Sequence, residues 1–112
     1  MVTELKRIMH VEDDPSIQAV AKVALEVVGG FTVETCSGGE EALKNFHSFQ
    51  PQLILLDVMM PGMDGFEVAR LMRGSPHTRY TPIIFVSAIA HTRDSVLRGY
   101  ATGAVDFILK PF

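Results

Sequence analysis

Polar residues able to hold a cation and a phosphate group stand where this chain's apolar runs stop. Glu12 and Asp13 follow Ile8-Met-His-Val11, and Asp57 closes the run Leu53-Ile-Leu-Leu56. Ser87 follows Ile83–Val86, and Lys110 follows Val105–Leu109. Carboxylates are hard oxygen ligands for a divalent cation, while a hydroxyl and an ammonium donate to phosphate oxygens. Whether these groups act together depends on the elements that carry them.

The five runs have strand length, and helical patterns lie between them. Ile17, Val20, Ala21, Ala24, Leu25 and Val28 recur at the spacing of one buried helical face, ending at Gly29-Gly30. Asp14 is placed to cap this helix and Pro15 to occupy its first turn. Ser37 with Glu40, and Asp64 with Glu67, have capping-box spacing and open helices carrying Ala42, Leu43 and Phe46, then Phe66, Ala69 and Met72. A fourth helix is expected over about Thr92 to Thr102, stopped by Gly103.

Strands alternating with helices predict right-handed crossovers and a parallel α/β sheet with helices on both faces. Four strands are nearly continuous apolar runs, as strands buried on both faces are, whereas Phe31–Cys36 alternates and reads as an edge. In such an open sheet, sites lie outside the carboxyl ends of the strands. Glu12, Asp13, Asp57, Ser87 and Lys110 are therefore expected at one edge. Carboxylates about 4 Å apart repel by roughly 4 kcal/mol at an effective dielectric near 20, so the cluster calls for a positive charge or for a proton on one carboxyl. Oxygen ligands that leave room for water describe a Mg²⁺ site held by Asp13 and Asp57, with Asp57 as nucleophile forming an aspartyl phosphate.

Composition narrows the function further. The chain has 112 residues, 47% of them hydrophobic, enough for one domain over 1–112 with a real core. A net charge of -3 without a Lys/Arg stripe gives no electrostatic case for nucleic acid. No apolar run approaches membrane-spanning length, and the single cysteine, Cys36, fits a reducing compartment, so the expected location is cytoplasmic.

"VEDD" at 11–14, "LLDVMMPGMDG" at 55–65, "VSA" at 86–88 and "LKPF" at 109–112 together resemble the receiver domain of bacterial two-component response regulators. The resemblance spans the whole chain with the motifs in order. It implies a flavodoxin-like, doubly wound five-stranded parallel sheet of order 2-1-3-4-5, and phosphorylation by a sensor histidine kinase or phosphotransfer protein in control of an output domain or effector. It makes Asp57 the phosphoacceptor, Asp13 a direct Mg²⁺ ligand, Glu12 an acidic-pocket residue acting through water and Met59 a ligand through its backbone carbonyl. Ser87 matches the switch hydroxyl, Lys110 the pocket lysine and Phe107 the switch aromatic, with a cis peptide between Lys110 and Pro111. Met59 and Ile89 match the positions flanking the attack path, and as apolar residues they predict slow autodephosphorylation. The family continues past "KPF" into a fifth helix. The sequence stops at Phe112, so the expected fold lacks that helix, and a longer protein or a homodimer would cover the bared face.

Simpler readings compete at several positions. Asp14 falls past the acidic pair and is assigned to capping. Met59, Met60 and Met63 lack a neighbouring Cys or His and read as gap-fillers, not as a soft-metal site. His10 reads as core, His47, His77 and His91 as surface, and Phe107 on its own would pass for core. A phosphohydrolase that forms an aspartyl phosphate would want an acid two positions after Asp57, where Met59 stands. No glycine-rich phosphate loop occurs. The remaining alternative is a receiver-like interaction module that is never phosphorylated, which should have lost Asp13, Asp57 or Lys110.

Overall fold

The computed structural model describes residues 4–58, 62, 64–76, 78–87 and 106–109. Five parallel strands form one sheet: β1 (Arg7–Val11), β2 (Thr32–Cys36), β3 (Leu53–Asp57), β4 (Ile83–Ser87) and β5 (Asp106–Leu109), in the order β2-β1-β3-β4-β5. This is the topology expected, with β2 at an edge. The predicted helix over 92–102 and the peptide between Lys110 and Pro111 lie outside the described residues, as do Met59, Met60, Met63, His77, His91 and Lys110.

Alternation along each strand divides its side chains between the two faces of the sheet. On one face Met9, Val11, Cys36, Ile54, Leu56, Ile83 and Phe85 join the buried residues of α2 (Gly39–Phe49) and α3 (Gly65–Arg73), including Ala42, Phe46, Phe66, Ala69 and Met72. Phe66 meets Phe85 with ring centroids 5.0 Å apart at 59°, a tilted contact favoured by the ring quadrupoles. On the other face α1 (Pro15–Val23) sits over the sheet. Ala21, Ala24 and Leu25 line an apolar cleft of about 350 Å³ with Leu5, Ile8, Phe31, Leu53, Leu55 and Val86.

The helix starts obey local chemistry, with one correction. Asp14 Oδ1 accepts from Ser16 N at 2.8 Å, and Asp64 Oδ1 from Glu67 N at 2.9 Å, so both aspartates cap as predicted. The second helix instead begins one residue late: Gly38 is its N-cap without a side-chain bond, and Glu41, not Glu40, accepts from Ser37 N at 3.0 Å. Extended backbone at Gly38 (φ -171°, ψ 174°) carries the strand direction one position further before the helix can turn.

The first helix also departs from its periodicity. It continues from Val23 into a π-helical turn, Ala24–Val28, where Gly29 N bonds to Ala24 O at 3.1 Å. A π turn takes up an extra residue and rotates the side chains beyond it about the helix axis. Val28, predicted on the buried face, is 85% exposed, and Val20, ahead of the turn, is 65% exposed. Ala21 is the buried residue of α1.

Candidate functional site

Register brings the acidic residues level. Val11 pairs with Leu56 across β1 and β3, so Glu12 and Asp57 each stand one position beyond that pair. The ladder continues on both sides: Glu12 N donates to Cys36 O at 2.9 Å, and Val58 N to Val86 O at 3.1 Å. Glu12 and Asp57 are held by sheet hydrogen bonds, and Asp13 starts the turn into α1.

The carboxylate oxygens of Glu12, Asp13 and Asp57 all lie within 4.8 Å of one another. Glu12 and Asp57 are buried, at 1% and 3% exposure, while Asp13 is exposed. At this spacing each charged pair repels by about 3 kcal/mol at an effective dielectric near 20, and burial removes the water that would screen it. Hard oxygens with one open side fit Mg²⁺, which keeps several of its waters. Asp14 is not in the cluster. Its side chain caps α1, and its backbone N–H donates to Glu12 Oε2 at 3.2 Å, fixing the carboxylate's orientation.

β4 brings Ser87 to the same edge at the level of backbone. Asp57 pairs with Val86, which sets Ser87 one position further along β4, and Ser87 pairs with Leu109, the last residue of β5. Phe107 lies within β5 opposite Phe85. Lys110 and Met59 fall outside the described residues.

Two further residues support the site without belonging to the acidic cluster. Gly65 N donates to Val58 O at 3.0 Å, and a Cβ on Gly65 would lie 2.2 Å from the Asp57 carbonyl oxygen. The start of α3 packs directly on the backbone that carries Asp57, and only glycine permits it. The Gly after capping Asp64 was the available signal. Gln18 Nε2 donates to the Glu12 carbonyl and, at 3.3 Å, to Ser37 Oγ, tying the β1–α1 and β2–α2 junctions together. No local pattern marks that role. Cys36, whose carbonyl receives the Glu12 N–H, keeps its proton: burial, then the nearby Glu41 and Glu34 carboxylates, push its thiol up to about 12.

An open parallel sheet of order 2-1-3-4-5 with a carboxylate cluster beyond its strand ends defines a doubly wound α/β protein with an acidic pocket at the carboxyl edge of its sheet. The profile described as "Response regulator receiver domain" matches residues 8–112, and the chain belongs to that family. It is similar to the phosphate regulon transcriptional regulatory protein PhoB of Rhizobium meliloti, 39% identical over 108 residues covering 96% of this chain and 47% of that protein. It is 38% identical over 112 residues to the DNA-binding response regulator MtrA of Mycolicibacterium smegmatis, covering all of this chain and 47% of that one. The chain thus spans about half the length of these relatives. Among solved structures, chemotaxis protein CheY4 of Vibrio cholerae superposes with a TM-score of 0.90 at 30% identity, covering 97% of this chain and 89% of that one. Response regulator TrrA of Thermotoga maritima, solved in complex with Mg(2+)-BeF, superposes at 0.83 with 37% identity, covering 96% and 89%. No helix among the described residues is long and apolar enough to cross a membrane.

Proposed function

We propose that residues 1–112 act as one receiver domain that accepts a phosphoryl group on Asp57 and passes the change to an output. The observation that carries this reading is the convergence of Glu12, Asp13 and Asp57 within 4.8 Å at the carboxyl edge of the sheet. An Asp57 carboxylate oxygen attacks phosphorus. The bond from phosphorus to the donor breaks, its electron pair leaving with the donor's nitrogen or oxygen, and an acyl phosphate remains. Asp13 and Asp57 side chains and the Met59 carbonyl would hold Mg²⁺, with Glu12 acting through water. When bound, the ion offsets the carboxylate charge and the charge of the phosphoryl group.

Lys110 contributes a second positive charge and Ser87 a hydroxyl for a phosphoryl oxygen. The new group adds about -1.5 to -2 charges and three acceptor oxygens, drawing Ser87 inward while Phe107 takes the vacated space. The donor is a sensor histidine kinase or phosphotransfer protein in the cytoplasm. The transcriptional relatives, about twice as long, favour a DNA-binding output in the whole protein.

Incubation with acetyl phosphate and Mg²⁺ tests the reading by intact mass. The expected result is a gain of one phosphoryl group that chelation of the metal abolishes and Asp57→Ala removes. No gain, or a gain that survives Asp57→Ala, overturns it.

A further inference from the structure

A second surface lies at the amino edge of the sheet, opposite the acidic pocket. The turn from α2 into β3 and the loop from α3 into β4 meet there around a groove of two hollows, about 320 Å³ and 200 Å³, which share Pro51 and Thr81. Tyr80 and Pro82, both exposed, line the larger hollow, and Phe46 and Gln50 line the smaller. Side-chain bonds fix both walls. Gln52 Oε1 accepts from Lys6 N and Arg7 N at 2.7 and 2.9 Å, and Arg7 Nε donates to Gln50 O at 2.9 Å. On the other wall Arg73 Nη1 donates to the carbonyls of Thr78, Arg79 and Thr81 at 3.3, 3.0 and 2.8 Å. Walls held in this way lose little freedom when a ligand enters.

Charge identifies the occupant. The guanidinium groups of Arg7 and Arg73 are bonded into the walls, and that of Arg79 stands over the Tyr80 ring, 6.0 Å from its centroid. Among the described residues no carboxylate lines the groove. Of the acids at this end, Glu26 reaches Val33 N at 3.4 Å, and Glu4 meets the wall through its backbone carbonyl, which accepts from Gln52 Nε2 at 3.0 Å. Glu12, Asp13 and Asp57 crowd the opposite edge. The domain is polarised from one sheet edge to the other, so an anionic partner is steered to the amino edge. A net charge of -3 repels an extended polyanion such as nucleic acid, whereas a short acidic segment touches the basic end alone.

We propose that this groove docks a short acidic segment of a partner protein, with its carboxylates on Arg79 and Arg7 and an apolar residue between Pro51 and Tyr80. A contact this small falls well below the ~1,200 Å² of stable complexes, so the segment alone binds weakly, at about 0.1–1 mM. The surface shares no residue with the phosphorylation site.

Titration of the isotope-labelled chain with a synthetic peptide of glutamates flanking a leucine–proline pair, followed by amide NMR shifts, tests the proposal. The expected result is saturable shifts centred on Gln50, Gln52, Tyr80 and Thr81, weakened about tenfold by Arg79→Glu and further by added salt. Tyr80→Ala should weaken binding as well, and because Tyr80 is 85% exposed its removal leaves the core intact. The same peptide with lysine in place of glutamate should not bind. Absence of saturable shifts, shifts centred elsewhere, equal binding of the lysine peptide, or binding indifferent to both substitutions overturns the proposal. Oligothymidylate moving the same amides at lower concentration also overturns it, by making the groove a nucleic-acid surface.

Discussion

No side-chain carbon fits between Gly65 and Asp57. The Cβ of any other residue at position 65 would stand 2.2 Å from the Asp57 carbonyl oxygen and 2.9 Å from its carbonyl carbon. Both obstacles are backbone in a central strand, bonded on either side, so neither can swing away.

Gly65→Ala should therefore destabilise the domain by about 1–3 kcal/mol, the usual range for overpacking. In a domain of this size that lowers the melting temperature by roughly 4–8 °C per kcal/mol. Because the shift falls on the residue carrying the carboxylate, phosphorylation by acetyl phosphate should slow even where the variant remains folded. A variant with unchanged melting and phosphorylation rate would show that the helix start slides aside freely.

Crowded carboxylates predict opposite effects with and without metal. Asp13→Asn removes one charge from the cluster, so without Mg²⁺ its melting temperature should rise or hold steady, and the stabilisation gained on adding Mg²⁺ should fall. Magnesium affinity should weaken at least tenfold for Asp13→Asn and about tenfold for Glu12→Gln. Thermal melts across a Mg²⁺ titration read both effects. Equal affinities in all three proteins would exclude these side chains from the metal site.

Ser87→Ala should leave the phosphoryl group on Asp57 measurable by mass while uncoupling it from output. Binding of an output partner would then rise less on phosphorylation than in the parent chain. A full response in the variant removes the hydroxyl from the switch.

The Cys36 thiol predicts a pH dependence with a definite sign. Its folded value is raised from 9.0 to about 12, so the folded chain keeps a proton that the unfolded chain releases. That contribution is fully present below about pH 9 and is lost as pH rises toward 12. Urea melts should show the parent losing stability across that window more steeply than Cys36→Ala, whose absolute stability is lower for want of the side chain. Alkylation of folded protein at pH 8 should be slow. Parallel slopes would show that other groups dominate.

Gln50 ends the second helix in the left-handed region, φ 53° and ψ 63°, with its N–H on Phe46 O at 2.8 Å. Glycine meets no Cβ penalty there, so Gln50→Gly should stabilise the domain by about 0.5–1 kcal/mol. The change leaves the acidic pocket untouched. Differential calorimetry showing a lower melting temperature would mean the Gln50 side chain contributes more than the strained backbone costs.

Local chemistry alone determined the order of elements and the membership of the acidic cluster. Short apolar runs ended by Glu12-Asp13 and by Asp57 mark strands whose carboxyl ends must share an edge once the crossovers are right-handed, and Asp14-Pro15 and Asp64 mark helix starts because an N-cap needs only its own next turn. Tertiary structure decided what depends on residues distant in sequence. The fit of Gly65 against Asp57 arises where a loop returns to its own strand, and the Gln18 bridge forms where two junctions meet. The exposure of Val20 and Val28 comes from how the helix lies on the sheet and from its π turn, which a fixed 3.6-residue period cannot represent. An apolar residue in a helical pattern shows that it can be buried. Which surface buries it is settled only by the elements that pack beside it.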